Sequence, residues 1–417
     1  MVALSVKTTK RGMGHLMGSK HLIFLVLLAF VTRVNASDLE QGIKAFDSNK
    51  CEVALTQLEP LANKGDAAAQ YYVGLMYAKG CGVPKNYEIA MSWYQRAAGE
   101  GDKRAQSELG GLYQLGLGTH PDYDKAAHWN GLAANKGYAA AQVNLGDLYL
   151  KGYGVQQDYD LAMKWYRSAA DQGQPKAQIN IGVMYAKGFG VKQNYSEALR
   201  WYEKAATQGD AEAIADIGAM YVQGDGVQQD YAKAEAYFRK AADMNDATGQ
   251  YNLGVMYAGG HGVEQDYAQA LVWYQKAAKQ GNADAQVNLG LIYGQGLGGD
   301  KDYGKAMQWF RLAADQGDGL AQFDLCVMYA NGLGVSQDLT AAYALCSIAQ
   351  MQFDTRSKPD QMRKAVDKQY KIKLQMTDAQ LNEAGVLLEK MKQMGVDEAL
   401  NQHLKKRTVP GSLTDLD

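Results

Sequence analysis

Histidine and cysteine, which bind metal ions or act in catalysis, are few in this chain and do not cluster with carboxylates. The six histidines are spread along the sequence, and apart from His15 and His21 only His120 and His128 lie close together. The carboxylates beside them, Asp122 and Asp124, are better explained as a helix cap and a surface residue, because a metal site needs three or four ligands around one centre. The sequence therefore predicts no metal site.

Glycine and serine motifs also fail to make a catalytic or cofactor site. A Gly-x-Gly pair recurs along the chain, but no strand precedes it and no third glycine opens the following helix, as a dinucleotide-binding loop requires. No P-loop string is present, no serine is followed three residues later by lysine, and neither Ser-Asp-Asn nor Lys-Thr-Gly occurs. We therefore expect no catalytic residue, no cofactor and no enzymatic activity.

The spacing of the tryptophans is the strongest signal in the sequence. They fall on a period of 36 residues, in which Tyr237 fills the one missing step: Trp93, Trp129, Trp165, Trp201, Trp273 and Trp309. A fixed period of this length is typical of solenoids, in which each unit buries its apolar face against its neighbours. The period predicts eight repeats: 67–102, 103–138, 139–174, 175–210, 211–246, 247–282, 283–318 and 319–354.

Each repeat has the pattern of two helices joined by a short loop. Apolar residues at helical spacing predict a first helix, helix A, and the Gly-x-Gly pair ends it because glycine tolerates left-handed backbone. An Asp or Asn in every repeat, such as Asn86, predicts the N-cap of a second helix, helix B, which carries Ala-x-x-Trp-Tyr-x-x-Ala-Ala. We expect its aromatic pair to fill the space between hairpins. The pattern predicts an all-α fold, since no segment alternates strongly enough for a strand.

The repeat resembles the Sel1-like repeat family, which is related to the tetratricopeptide repeats. The segment 139–174, AAAQVNLGDLYLKGYGVQQDYDLAMKWYRSAADQGQ, carries the resemblance, which extends over 67–354. It implies a right-handed α-solenoid, a superhelix of stacked antiparallel helical hairpins. The last repeat departs from the pattern, as terminal repeats do: Cys326 replaces the helix-A glycine, and Leu345 and Cys346 replace the aromatic pair.

Three segments flank the repeats. Basic residues, an apolar run over 22–31 and Val34-Asn35-Ala36 predict a signal peptide over 1–36, cleaved before Ser37; a retained N-terminal membrane anchor is the alternative. We interpret 37–66 as an N-terminal helical cap and 355–417 as a C-terminal helical cap and tail, in which Thr377 and Gln380 form a capping box. We expect an exported bacterial protein, periplasmic or secreted, that is monomeric and has no membrane span in its mature chain.

Removal of the signal peptide would change the charge balance. Residues 1–36 hold five Lys/Arg and no Asp/Glu, so 38 basic and 45 acidic residues remain, a formal net charge of −7 instead of −2. A mildly acidic chain without a basic stripe of interleaved aromatics is not expected to bind nucleic acid. Proteins or extended peptides are the expected partners.

The four cysteines of an exported chain allow three pairings, and free thiols are an alternative. Cys51 and Cys81 fall near a helix start and the loop of the next hairpin, and Cys326 and Cys346 fall on the two helices of the last repeat. Because each of these pairs would cross-link two segments at one end of the repeat array, we favour the disulfides Cys51–Cys81 and Cys326–Cys346.

The first helix of each hairpin lines a concave groove for extended peptides in tetratricopeptide relatives. Two residues before the helix-A glycine lies a column that we call the ladder: Tyr72, Glu108, Asn144, Asn180, Asp216, Asn252, Asn288 and Asp324. Its asparagines could bond a peptide, or they could satisfy one another within the repeat. The predicted protein-binding residues are the asparagines, aromatic breaks in the pattern and lysines that end helix A: Asn144, Asn180, Asn252, Asn288, Tyr71, Tyr72, Tyr251, Phe323, Lys79, Lys151 and Lys187.

The preferred hypothesis for function is an exported, non-catalytic scaffold or adaptor that binds proteins through the concave face. The resemblance to exported bacterial Sel1-like proteins, some of which act in host-cell entry or signalling, implies such a role here. One alternative is a periplasmic modulator of a cell-wall or polysaccharide enzyme. A second alternative, hydrolysis of a β-lactam or of peptidoglycan, is disfavoured by the missing nucleophile motifs.

Overall fold

The computed structural model describes residues 37–353 and 359–408, which fall into two compact units, one up to Asn194 and one from Tyr195. The predicted signal peptide lies outside these residues. Helices and short connections make up the described chain, which contains no strand, so the predicted all-α fold is confirmed. None of the helices over 37–353 and 359–408 combines the length and the hydropathy that a membrane crossing needs.

The N-terminal unit consists of helical hairpins in tandem. Its helices are α1 (37–47), α2 (Cys51–Asn63), α3 (Ala67–Lys79), α4 (Tyr87–Gly99), α5 (Lys103–Leu115), α6 (Tyr123–Asn135), α7 (Ala139–Lys151), α8 (Tyr159–Ala170) and α9 (Pro175–Lys187). Each helix packs against the next along α2 to α9, so α3 with α4, α5 with α6 and α7 with α8 form antiparallel pairs.

The C-terminal unit continues the hairpins and ends in three further helices. Its helices are α10 (Tyr195–Thr207), α11 (Ala211–Gln223), α12 (Tyr231–Asp243), α13 (Ala247–Gly259), α14 (Tyr267–Lys279), α15 (Ala283–Gln295), α16 (Tyr303–Asp315), α17 (Gly319–Asn331), α18 (Leu339–Gln352), α19 (Pro359–Lys373), α20 (Asp378–Met394) and α21 (Val396–Thr408). Helices α19 and α20 pack on α18, and α21 packs on α20 and α16.

Two glycines and one cap shape the loop within each hairpin. Gly116 ends α5 in the left-handed conformation (φ 68°), and Gly118 lies so near Tyr87 that an added Cβ would approach its backbone to 2.7 Å. The predicted N-cap side chains accept a hydrogen bond from a backbone N–H at the start of helix B, which confirms the caps in seven hairpins: Asn86, Asp122, Asp158, Asp230, Asp266, Asp302 and Asp338.

The two aromatic residues of helix B are not equally buried, although the sequence analysis expected both to fill the space between hairpins. The second ring of the pair is the buried one: Tyr166 is 0% exposed, and a Cβ added to the helix-A glycine Gly146 would approach its ring to 2.5 Å. The first ring, Trp165, is only half-buried, and Trp273 alone among the tryptophans is buried. Where helix B has a second ring, that ring and the helix-A glycine therefore form the packing contact of the hairpin, and the first ring lies at its border.

Buried glutamines of helix A join successive hairpins. The side chain of Gln106 donates to the carbonyl oxygen of Ala98, at the end of the preceding helix B, at 3.1 Å. Such a bond satisfies one of the carbonyls that a helix C-terminus leaves without an intrahelical partner. The same contact recurs from four other side chains: Gln70, Gln142, Gln286 and Gln322.

Two disulfides lie in the first and last parts of the described chain, and they leave no free cysteine there. Cys51 and Cys81, with Cα atoms 5.2 Å apart, join the start of α2 to the loop after α3. Cys326 and Cys346, with Cα atoms 5.4 Å apart, join the two helices of the last hairpin and are fully buried. Cys326 occupies the helix-A glycine position and Cys346 the position of the buried ring, so this disulfide replaces the glycine–aromatic contact.

Polar contacts hold the last helices against the final hairpins. Arg311 donates to Asp397 at 2.5 Å, and a ring nitrogen of the buried His403 lies 2.9 Å from the carboxylate of the buried Asp338. The predicted capping box at Thr377 begins α20 and is confirmed.

Candidate protein-binding face

Two columns of helix A lie at the surface of both units. All ladder residues are half-buried except Glu108, which is exposed. The second column, one turn further along each helix, is half-buried and mainly apolar: Leu75, Gly111, Asp147 and Val183 in the N-terminal unit, and Ala219, Val255, Leu291 and Val327 in the C-terminal unit. We call the two columns together the helix-A face.

A regular contact links the ladder to the preceding helix B. The side chain of Asn144 donates to that of Asn130, fourteen positions earlier, at 3.2 Å. Two further pairs hydrogen-bond in the same register: Asn180 with Tyr166, and Asn288 with Tyr274. In these three pairs the buried side chain of helix B therefore contacts the ladder residue of the next hairpin.

Three of the four predicted asparagines thus have partners within the fold. Asn180 donates to Asp147 at 2.9 Å in addition to its contact with Tyr166. Asn252 differs, because the residue fourteen positions earlier is Phe238, which carries no hydroxyl. Within the described chain, no hydrogen bond to the Asn252 side chain is present. Asn252 is therefore the predicted asparagine whose amide is available to a ligand.

Asp147 is an acidic residue in the otherwise apolar or small second column. Its Oδ1 accepts a hydrogen bond from the Tyr166 hydroxyl at 2.5 Å and one from Asn180. Burial raises the pKa of the Asp147 carboxyl, and the bond from Tyr166 and the nearby Lys151 oppose that rise. Two hydrogen bonds therefore hold the Asp147 carboxylate in a fixed position on the helix-A face of the N-terminal unit.

Glu108 combines an exposed side chain with a crowded carboxyl. Burial raises the pKa of this carboxyl, and the nearby Lys79 opposes the rise. Glu108 in turn raises the pKa of three tyrosine hydroxyls, each of which burial raises first: Tyr71, Tyr94 and Tyr138. The Glu108 carboxyl therefore interacts electrostatically with these three tyrosines while its side chain stays exposed.

Asp324 is one of the two ladder acids in the C-terminal unit, and Asp216 is the other. Burial raises its pKa to about 6, and the nearby Asp318 adds to the rise. The residue fourteen positions earlier is Phe310, which offers no hydroxyl as a donor. Asp324 is therefore a carboxyl that burial disfavours in its charged form and that no tyrosine of helix B stabilises.

The other predicted site residues lie on or beside the same face of their own unit. Tyr71 is buried beneath it, Tyr72, Tyr251 and Phe323 are half-buried, and the lysines at the ends of α3, α7 and α9 are exposed: Lys79, Lys151 and Lys187. The guanidinium of Arg104 stacks 4.4 Å from the ring centre of Tyr71. Tyr94, Tyr138 and Asp147 were missed by the sequence analysis, although the acid at 147 breaks an apolar column.

The described part of the chain contains no candidate metal-binding site. Over 37–353 and 359–408, no group of three or more His, Cys, Asp or Glu residues could hold a metal ion.

Comparison with known proteins matches this architecture to one family. Eight segments match the Sel1 repeat: 67–102, 103–138, 139–174, 175–210, 211–246, 247–282, 283–318 and 319–349. No curated protein sequence matches the chain.

Several solved structures are similar to the chain. A protective antigen of uropathogenic Escherichia coli with an SLR fold is 28% identical, with 92% of this chain and 97% of that chain covered and a TM-score of 0.49. A Sel1 repeat protein from Oxalobacter formigenes is 36% identical, with coverages of 66% and 96% and a TM-score of 0.45. An immunity protein from Pseudomonas aeruginosa is 24% identical, with coverages of 51% and 80% and a TM-score of 0.41.

The tandem hairpins, the glycine loops and the eight matched segments agree with one another. Sel1 repeat proteins are generally non-catalytic scaffolds for protein interaction. Because the matched segments cover well over half of its length, the chain belongs to the Sel1 repeat family.

Proposed function

We propose that this chain is an exported, non-catalytic scaffold that binds proteins or extended peptides through the helix-A face. The observation that carries the proposal is a set of ladder side chains that reach the surface without a hydrogen bond or ion pair from the described residues: Glu108, Asn252 and Asp324. Polar groups that are partly removed from water and lack a partner gain free energy when a ligand supplies one.

The apolar column beside the ladder also supports the binding of an extended peptide. Val255 follows Asn252 by one helical turn and is half-buried, as are Leu75 and Val327 in their repeats. An extended peptide presents backbone polar groups and side chains in alternation, so a polar column beside an apolar one can contact both.

The proposal of export rests on the sequence of residues 1–36. The proposed cellular role rests on the resemblance to other Sel1 repeat proteins. Our preferred role is one in host-cell entry or signalling, and modulation of a periplasmic cell-wall or polysaccharide enzyme is the alternative. Cell fractionation separates the two, because a host-directed protein accumulates in the culture supernatant or at the cell surface and a periplasmic modulator is released with the periplasm.

Capture of partners by variant chains tests the binding face. The mature chain from Ser37 serves as bait in envelope and host-cell extracts, and mass spectrometry identifies the bound proteins. Val255→Arg places a charge on the helix-A face, whereas Val272→Arg, the matched control, places it on helix B, where Val272 is 44% exposed. We expect only Val255→Arg to weaken capture while both variants keep their far-UV helicity. Capture that is equal in both variants for every partner rejects this face as the binding surface.

A further inference from the structure

One of the two disulfides lies at the surface of the N-terminal unit. Cys51 and Cys81 are half-buried, whereas Cys326 and Cys346 are fully buried. The half-buried disulfide borders a cavity of about 570 Å³, a size at which cavities hold small ligands. Because an attacking thiol must reach a sulfur atom directly, a reagent can reach this disulfide in the folded chain and cannot reach the other. The cavity is lined by Phe46, Asp47, Asn49, Cys51, Lys79, Gly80, Cys81 and Gly82.

The Cys51 sulfur belongs to the first residue of a helix. Cys51 begins α2, and the N-cap residue before it, Lys50, makes no side-chain cap hydrogen bond. The unpaired N–H groups and the dipole of a helix N-terminus stabilise a negative charge. The exposed Asn49 amide, whose Oδ1 atom lies 3.6 Å from Cys51 Sγ, can turn its N–H groups towards a charged sulfur. With the positive charge of Lys79 on the cavity wall, these groups make the Cys51 thiolate a good leaving group.

The loop that carries Cys81 has no side chain on either side of that cysteine. Gly80 and Gly82 flank it, and both are exposed. A Cβ added to Gly82 would approach the backbone of Cys51 to 3.0 Å, so backbone contact as well as the S–S bond holds the loop at the start of α2. The glycines therefore leave room for a nucleophile beside Cys81, and the backbone contact keeps the two cysteines close enough to form the bond again.

Cleavage of this disulfide would leave the packing of the N-terminal cap in place. The side chain of Leu58 in α2 is fully buried, in one apolar cluster with Val73 and Met76 of α3. The Gln70 side chain of α3 also donates to the carbonyl oxygen of Ala62 in α2. These contacts do not depend on the S–S bond, so we expect the reduced chain to stay folded.

We propose that Cys51–Cys81 is a reversible site of thiol–disulfide exchange with a dithiol that enters the cavity. A thiolate of the dithiol attacks the Sγ atom of Cys81, the S–S bond breaks, and Cys51 leaves as a thiolate. The second thiol of the dithiol loses its proton and attacks the sulfur of the first, which releases Cys81 as a thiolate. The dithiol supplies both electrons and becomes a disulfide, and its two protons pass to the two cysteine thiolates. This inference goes beyond the proposed scaffold and does not depend on it.

Reduction of the folded chain tests the accessibility of the site. The oxidised mature chain is incubated with dithiothreitol, and N-ethylmaleimide blocks the free thiols at timed intervals. Mass spectrometry of the peptides then measures the label on each cysteine. We expect Cys51 and Cys81 to be labelled at least about tenfold faster than Cys326 and Cys346, while far-UV helicity is retained. Equal rates for the two disulfides, or reduction only with loss of helicity, overturn the proposal.

Reduced thioredoxin in place of dithiothreitol distinguishes the sources of the dithiol. Reduction by dithiothreitol alone shows that the cavity admits only a small dithiol. Reduction by thioredoxin as well shows that it also admits the active site of a protein.

The first step of the exchange identifies the leaving sulfur. Glutathione has one thiol, so at early times it forms the mixed disulfide, and N-ethylmaleimide blocks the thiol that is released. We expect glutathione mainly on Cys81 and the maleimide mainly on Cys51, because the Cys51 thiolate leaves more readily. The reverse distribution overturns the proposed direction of attack.

Two charge variants with a matched control test the role of the cavity. Lys79→Gln removes a positive charge from its wall and is expected to slow reduction by dithiothreitol about two- to threefold, because the wall then attracts the incoming thiolate less. Asp47→Asn removes a negative charge from the same wall and is expected to speed reduction by a similar factor. Lys64→Gln, at an exposed lysine that follows the other end of α2, should leave the rate unchanged. Wild-type rates in both cavity variants overturn the cavity as the path of attack.

Discussion

Whether a ladder side chain is hydrogen-bonded within the fold depends in part on whether the helix-B residue fourteen positions earlier has a hydroxyl or an amide. The Tyr166 hydroxyl donates to Asp147 and also bonds Asn180, so both of those side chains are satisfied within the fold. Phe310 has no such hydroxyl, and the ladder residue after it, Asp324, is a carboxyl whose pKa burial raises. The availability of a ladder residue to a ligand therefore depends on helix B as much as on the ladder itself.

Asp324→Asn is expected to stabilise the protein at neutral pH. A carboxyl whose pKa is raised from its ordinary value to about 6 costs no stability below about pH 4 and destabilises the fold increasingly as pH rises through 6. Two pKa units correspond to about 3 kcal/mol, and partial exposure of the side chain reduces this to about 1–2 kcal/mol. Urea unfolding at pH 4 and pH 7 should show the gain only at pH 7.

The reverse substitution is the control for this carboxyl. Asn252 follows Phe238 as Asp324 follows Phe310, so Asn252→Asp places an acid in an equivalent position. It should lower the free energy of unfolding at pH 7 and leave it almost unchanged at pH 4. An Asp324→Asn variant that gains equally at both pH values contradicts the assignment of the effect to the buried charge.

In most hairpins, one glycine of helix A and one ring of helix B form the contact between the two helices. Tyr166 is fully buried against Gly146, whereas its neighbour Trp165 is half-buried. In the second repeat an amide takes the place of the ring, since the buried Asn130 donates to the carbonyl of Ala126 and accepts from Asn144. The helical pair thus tolerates different chemistry at this position only when the replacement fills the space or satisfies its own polar atoms.

Truncation of the two rings should therefore have unequal costs. Tyr166→Ala is expected to lower the free energy of unfolding by about 3–5 kcal/mol, because it leaves a cavity and removes one of the two hydrogen bonds to Asp147 Oδ1. Trp165→Ala should cost about 1–2 kcal/mol, because much of its ring stays in contact with water in the folded state. Urea midpoints of the two variants measure the difference, and a larger loss for Trp165→Ala would contradict the packing described here.

The last hairpin allows the glycine–ring contact to be compared directly with a disulfide. The Cys326→Ser, Cys346→Ser double variant is expected to lose about 3 kcal/mol, the closure entropy of a loop of this size. Cys326→Gly with Cys346→Tyr restores the residue types of the inner hairpins and should recover at least about 1 kcal/mol of that loss. Thermal unfolding under oxidising conditions gives both values. A Gly/Tyr variant no more stable than the Ser/Ser variant would show that the positions are not equivalent.

Sequence reasoning succeeded where structure follows from local chemistry and failed where it depends on a neighbouring hairpin. The cap at Asn86 and the left-handed Gly116 are set by the backbone within one loop, so residue type alone predicts them. The burial of Tyr166 rather than Trp165, and the partner of Asn144, depend on which face of helix B meets the next helix A. Adjacent residues on a helix point about 100° apart, and the repeat period does not choose between them.

At the scale of the whole molecule, stability within each unit is built from neighbouring contacts. In the N-terminal unit α4 packs on α5 and α6 on α7, and in the C-terminal unit α12 packs on α13 and α14 on α15. An array of this kind leaves side chains of helix A at the surface, although in the last hairpin α19 packs on α17 and Phe323 contacts it. Residues 37–417 carry a formal net charge of −7, which would be that of the protein if 1–36 were removed.

Export can be tested together with the oxidation of the cysteines. Basic residues, an apolar run and Val34-Asn35-Ala36 predict cleavage before Ser37, so N-terminal sequencing of extracytoplasmic protein should begin at Ser37. Leu27→Arg interrupts the apolar run and should retain the precursor in the cytosol, while Thr9→Arg, which adds the same charge upstream, should not. Because the cytosol keeps thiols reduced, a maleimide should label the four cysteines of the retained precursor after denaturation and none of those in the exported chain. Protein that keeps Met1, stays in the cytosol and functions there with labelled cysteines would contradict both the signal peptide and the oxidised state of the two disulfides.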